Sequence, residues 1–127
     1  MATTSVYPIR GCPNPEVEVI SGSFTVTSGV CTVTSGRGFT PTESGTGEYT
    51  ITFDKTYTDC LGAPATVTGL NTTEAAVTIS LESKSGSAIV YLTLTDQGDG
   101  TADATDLQNG QGITFICTVQ RSSLPTT

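Results

Sequence analysis

The sequence contains no histidine and no tryptophan, and only 13% of its 127 residues are charged. Each absence removes a class of chemistry. Without histidine, a serine or cysteine nucleophile needs some other base, and neither a GxSxG elbow nor an SxxK pair is present to provide one. The cysteines are too widely spaced for a CxxC knuckle, and with no imidazole beside them a structural zinc site is not expected. A glycosidase needs only two carboxylates, but those here fall on surface strands and in turns, where they are solvated, and there is no tryptophan platform for a sugar ring. No catalytic residue is assigned, and the chain reads as a non-enzyme.

Long apolar runs are also missing. Nothing approaches the roughly 20 residues of a membrane-crossing helix, and the head "MATTSVYPIRGCPNPEVEV" has neither the basic nor the apolar region of a cleaved export signal. No GxxxxGK[ST] loop occurs, and the glycines fall between strand-like segments as turn glycines.

The sparse charge is acidic, with 12 Asp and Glu against 5 Lys and Arg and a net charge of −7. Arg10, Arg37, Lys55, Lys84 and Arg121 are scattered. This balance repels phosphate backbones and argues against nucleic acid and anionic membranes as partners. Hydrophobic residues make up 35% of the chain, against about 45–50% in globular proteins. So lean a core calls for disulfides or subunit contacts. Cys12, Cys31, Cys60 and Cys117 are the disulfide candidates, with three pairings open.

What is abundant is Thr, Ser and Gly arranged in short alternating segments, and no stretch keeps helical spacing. The pattern predicts an all-β domain over residues 16–120, an antiparallel β-sandwich of jelly-roll type. Residues 1–15 and 121–127 lack pattern and read as an N-terminal arm and a C-terminal tail. "EVEVI", "SFTVT" and "VCTVT" are the early strands, each ended by a glycine-containing turn, and the repeated "TVTSG" reads as the two arms of a hairpin. In "EYTITF", Tyr49, Ile51 and Phe53 share one face. A polar break through Asp54–Asp59 precedes "PATVTG", where Pro64 opens the strand. "AAVTISL" directs Ala75, Val77, Ile79 and Leu81 inward, and "GITFICTVQ" does the same with Ile113, Phe115, Cys117 and Val119. "SAIVYLTLT" is apolar on both faces, with Val90, Leu92 and Leu94 on one and Ile89 and Tyr91 on the other. Such a strand is central in a sandwich or lies at a subunit interface.

Two polar features are candidate sites. "TDQGDGTADATD" carries Asp96, Asp99, Asp103 and Asp106, a possible calcium loop by carboxylate density. Its register is poor, because placing Asp99-Gly100 at the fifth and sixth positions of an EF-hand puts Thr95 first and Asp106 last. A solvated acidic turn is the favoured reading, with no cofactor. Tyr49, Tyr57, Tyr91 and Arg37 are of types enriched at recognition surfaces. Tyr49 and Tyr91 sit within strand patterns, which leaves Tyr57, in the "DKTYTD" break, as a contact candidate. "NTT" at Asn71 is a sequon by form and a turn by context.

"SGRGFTPTESGTGEYTITFDKTYTDCLGAPATV", with the later "TDQGDGTADATDLQNGQGITFICTV", resembles a module of phage tail-fibre tips and of collagen-like phage and bacterial surface proteins. There a "GFTVTRTGTGxYTVTF" strand leads to "FxxxPVV", and the module closes with "DxxGxxxDxxFxFIx". The likeness spans roughly Gly36 to Val119. It departs where the family's arginine before "TGTG" gives way to "TESGTG", and in its four cysteines. The resemblance implies an antiparallel sandwich, often trimeric, acting as a virion or surface structural and adhesion module without enzymatic activity.

A single module beginning at Met1 fits a capsid decoration protein, or a short head or tail fibre, better than the end of a long shaft. The expected partners are further copies of the chain and phage capsid or tail proteins. The expected location is the particle surface after assembly in the host cytoplasm. Ile89, Tyr91, Tyr57 and, on the arm, Val6 and Tyr7 are the expected contacts. The rival expectation is a receptor- or glycan-binding tip module.

Overall fold

The computed structural model describes residues 17–69, 77–96 and 100–121. Alternating β-branched and aromatic residues form ten strands there: β1 Val17–Thr27, β2 Val30–Gly36, β3 Phe39–Gly45, β4 Glu48–Phe53, β5 Asp59–Gly62, β6 Ala65–Thr68, β7 Thr78–Lys84, β8 Ala88–Asp96, β9 Ala102–Ala104 and β10 Gly112–Gln120. No helix occurs among the described residues. The strands make two antiparallel five-stranded sheets. One runs β2-β1-β10, with β5 and β6 both paired to β10; the other runs β3-β4-β8-β7, with β9 also paired to β8.

The sheets pack face to face, as in a β-sandwich, and aromatic rings join them. Phe39 meets Phe115 edge-on at 4.8 Å, and Phe24 and Tyr49 lie 6.4 Å apart at ring centres. Every aromatic residue among the described residues is buried, each stabilising the fold by roughly 1.5–3 kcal/mol. A few large rings thus fill the core that the low apolar content left in doubt. Tyr49, Ile51 and Phe53 all point into it, as do Ile113, Phe115, Cys117 and Val119, as period-two alternation predicts.

The expected "TVTSG" hairpin is present as β1–β2, with Thr27 opposite Val30. Its two turn residues, Ser28 and Gly29, both have positive φ, the type I′ signature whose twist matches that of the flanking strands.

Three expectations are corrected. The turn expected at Ser21-Gly22-Ser23 does not form, and β1 runs straight through it, with Gly22 opposite Phe115 on one side and Gly36 on the other. Glycine is there for close approach, since a Cβ would strike the Phe39 ring. Leu81, expected inside, is 37% exposed beside a register shift between Leu81 and Ser83. The alternation also did not mark β3, β5 and β9 as strands. β3 contains Pro41 and borders its sheet, the position where a missing amide hydrogen is tolerated.

Candidate functional surfaces

Three surfaces combine exposure with usable chemistry. The first is a cleft of about 580 Å³ at one end of the sandwich, lined by Glu18 to Ser21 of β1, by Gly36 at the end of β2 with Arg37 and Gly38 beyond it, and by Asp54, Lys55 and Tyr57 after β4. It brings together Arg37 and Tyr57, two of the recognition candidates, with a second cation and two carboxylates. The Glu18 carboxylate is held by the Tyr57 hydroxyl and lies 3.8 Å from the Arg121 guanidinium. The cleft thus presents charges of both signs.

Tyr57 is not the exposed contact expected of it. It is 8% exposed, packs edge-on against Phe53 at 5.7 Å, and sends its amide hydrogen to the Gly86 carbonyl at 2.7 Å. The polar break around it could not show this, because the apolar wall it leans on comes from β4. Burial pushes its phenol above the usual range, and the neighbouring Glu18 adds to the effect.

The opposite end of the fold is acidic. Asp106 accepts a 2.6 Å bond from the Gly47 amide and shares a hydrogen bond with Glu43. Partial burial and this neighbour raise the Glu43 carboxyl above its ordinary value. Glu82 and Glu48 form a second such pair, in which Glu82 is raised chiefly by its hydrogen bond to Glu48. Among the calcium candidates, Asp106 is therefore occupied in bracing the β3–β4 turn. Asp103 is exposed on β9, Asp99 lies outside the described residues, and the side chain of Asp96 is not described. No cluster of three or more metal-ligating side chains occurs among the described residues.

The third surface is the outer face of the β1–β10 sheet. Val19, Leu61 and Ile116 project from β1, β5 and β10 and are 51%, 47% and 52% exposed. Serine and threonine surround them. β8 contributes differently from expectation. Ile89 and Tyr91, named as subunit contacts, are 0% and 1% exposed within the protomer, and the Tyr91 hydroxyl donates to the Ala63 carbonyl at 2.8 Å. Val90, Leu92 and Leu94 are the half-buried residues of the outward face. Alternation separated the two faces correctly but carried no information on which was inside, since both are apolar. Val6, Tyr7 and Cys12 lie outside the described residues.

Compared with protein-family models, with curated proteins and with solved structures, the chain matches none. Its functional reading therefore rests on these surfaces and on the sequence motif.

Proposed function

We propose that the protein is a phage virion structural protein, a capsid-decorating or short head or tail fibre protein that acts by association rather than catalysis. The observation that carries this reading is the set of bulky apolar side chains Val19, Leu61 and Ile116 on the outside of a two-sheet fold. The "GTGEYTITF" strand and the closing "ITFICTV" of the resembled module support it from the sequence side. In the finer form of the proposal the sandwich is jelly-roll-like, with the chain passing repeatedly between sheets, and assembles as a trimer. Burying the outer face of the β1–β10 sheet against neighbouring copies or a capsid surface would couple stability to protomer concentration. The N-terminal arm would clasp the capsid or the next subunit, with the protein exposed on a particle assembled in the host cytoplasm.

Sedimentation equilibrium across micromolar concentrations tests the assembly, with a trimer expected. Labelled protein located in an electron-microscopy map of intact particles tests the site of action. A stable monomer that is absent from particles would overturn the proposal.

A second reading, as a receptor- or glycan-binding tip module, is favoured by the end cleft, where Arg37 and Lys55 offer donors around a concave surface. A host-glycan array read with and without EDTA distinguishes the two. Binding abolished by Arg37→Ala supports recognition, and silence across the array leaves the structural role.

A further inference from the structure

Cys60 and Cys117 are 57 residues apart in sequence, and their Sγ atoms lie 3.2 Å from each other. Both side chains are fully buried. Sheet pairing creates the contact. β5 runs antiparallel to the end of β10 with Cys60 opposite Val119, and a register shift between Thr118 and Val119 brings Cys117, on the same inward face, diagonally against it. A disulfide holds its sulfurs at about 2.05 Å, so bond formation asks for an approach of roughly 1 Å. β5 is a strand of only four residues, paired through β10 alone within its sheet, and such a segment can make that shift.

No other described cysteine competes. Cys31 lies opposite Val26, whose amide hydrogen goes to the Gln111 carbonyl at the start of β10. Cys117 is six residues further along, roughly 20 Å at about 3.4 Å per residue.

We propose that Cys60 and Cys117 are a built disulfide site, closed by exchange with a low-molecular-weight disulfide, which staples the short strand β5 to β10. One protein thiolate attacks a sulfur of the small disulfide and releases one small thiolate. The second protein thiolate then attacks the protein-bound sulfur and releases the other. The two protons lost by the cysteines end on the two released thiols, so the protein is oxidised by two electrons and the small disulfide is reduced by two. The attacking group is a thiolate, and burial and the adjacent Cys60 thiol together push the Cys117 thiol well above its ordinary value. Exchange therefore proceeds while β5 is off the sheet, during folding or edge opening, and is slow in the closed native state. The bond constrains the unfolded chain through a long loop, the case in which cross-links stabilise most.

The test is to refold the full chain from guanidinium with glutathione disulfide, quench in denaturant with iodoacetamide, and measure intact mass and non-reduced peptides. The oxidised chain is expected to carry two carbamidomethyl groups where the fully reduced chain of four cysteines carries four, with one cross-linked pair containing Cys60 and Cys117. The melting temperature should rise by on the order of 10 °C, and dithiothreitol should reverse the rise. Mild denaturant should speed oxidation of the native protein. Cys31→Ser should retain the bridge, and Cys60→Ser and Cys117→Ser should each remove it. Mapping on the wild-type chain stands even if a variant does not fold. Full alkylation of both cysteines after oxidation, or linkage of either to Cys12 or Cys31, overturns the proposal.

Discussion

The Tyr49 hydroxyl accepts a 2.8 Å hydrogen bond from the Leu107 amide, tying the middle of one sheet to the segment that leads into the last strand of the other. The phenol sits in the core, 0% exposed, and burial raises its pKa to about 12. It is therefore a neutral, fixed group. Tyr49→Phe removes the acceptor and leaves the Leu107 N–H without its partner, which should cost about 1–3 kcal/mol in urea denaturation. Tyr91→Phe, which removes the bond to the Ala63 carbonyl, should cost about 1 kcal/mol. If both variants unfold at the wild-type midpoint, these hydroxyls do not act as ties.

Gly22 and Phe39 form a second tie, by shape alone. Gly22→Ala places a methyl group against the Phe39 ring and the Ser35 carbonyl oxygen, and overpacking of this kind costs typically about 1–3 kcal/mol. Phe39→Leu by itself is destabilising because it thins the core. Combined with Gly22→Ala it should cost less than the sum of the two single changes, since the smaller side chain admits the new methyl. Additive effects in a double-mutant cycle would show that the ring is not what Gly22 makes room for.

Glu43 gives the fold a pH dependence of defined sign. Its pKa is raised in the folded protein, first by desolvation and then by Asp106. The folded state therefore favours the protonated carboxyl. The stability this contributes is fully present below the ordinary carboxylate value and is lost as pH rises through the raised one. Glu43→Gln should therefore stabilise the protein at pH 7, by only about 0.5 kcal/mol at so solvated a site, and make little difference near pH 4. Melting curves of the two proteins should differ most at neutral pH. A difference that grows on acidification would reverse the assignment.

On the outer face of the β1–β10 sheet, Ile116→Lys should leave the protomer fold intact, because that side chain is 52% exposed and contributes little to the core. It should nevertheless abolish self-association, because a charge would then be buried at the proposed contact. The sedimentation coefficient should fall to that of a monomer while the far-ultraviolet circular dichroism is unchanged. Unaltered association would move the interface elsewhere.

Much of this architecture is legible residue by residue. The two-residue alternation in "EYTITF" and "GITFICTVQ" named the inward sets of β4 and β10, because strand geometry sends successive side chains to opposite faces. The "TVTSG" echo marked the first hairpin, and Ser-Gly suits its turn. Alternation fails where a segment is too short or too polar to show a period. β5 has four residues and β9 has three, and β3, with Pro41 among Thr, Glu, Ser and Gly, shows no apolar period. The end cleft was half visible, through Arg37 and Tyr57. Glu18 could not be joined to them, since the cleft is assembled from three separate segments, the start of β1, the β2–β3 connection and the Asp54–Tyr57 break.

The sequence by itself determined that this chain would be all β, acidic and without histidine or tryptophan, because those properties depend on local periodicity and on residue inventory. Only the tertiary structure decided which face of β8 is inside, that Tyr57 is a wall of the core rather than an exposed contact, and that Cys60 meets Cys117. Each of these depends on contact between segments far apart in the chain, as when Tyr57 meets Gly86 and Glu18. A local pattern records that a residue alternates, but not which distant surface will close over it.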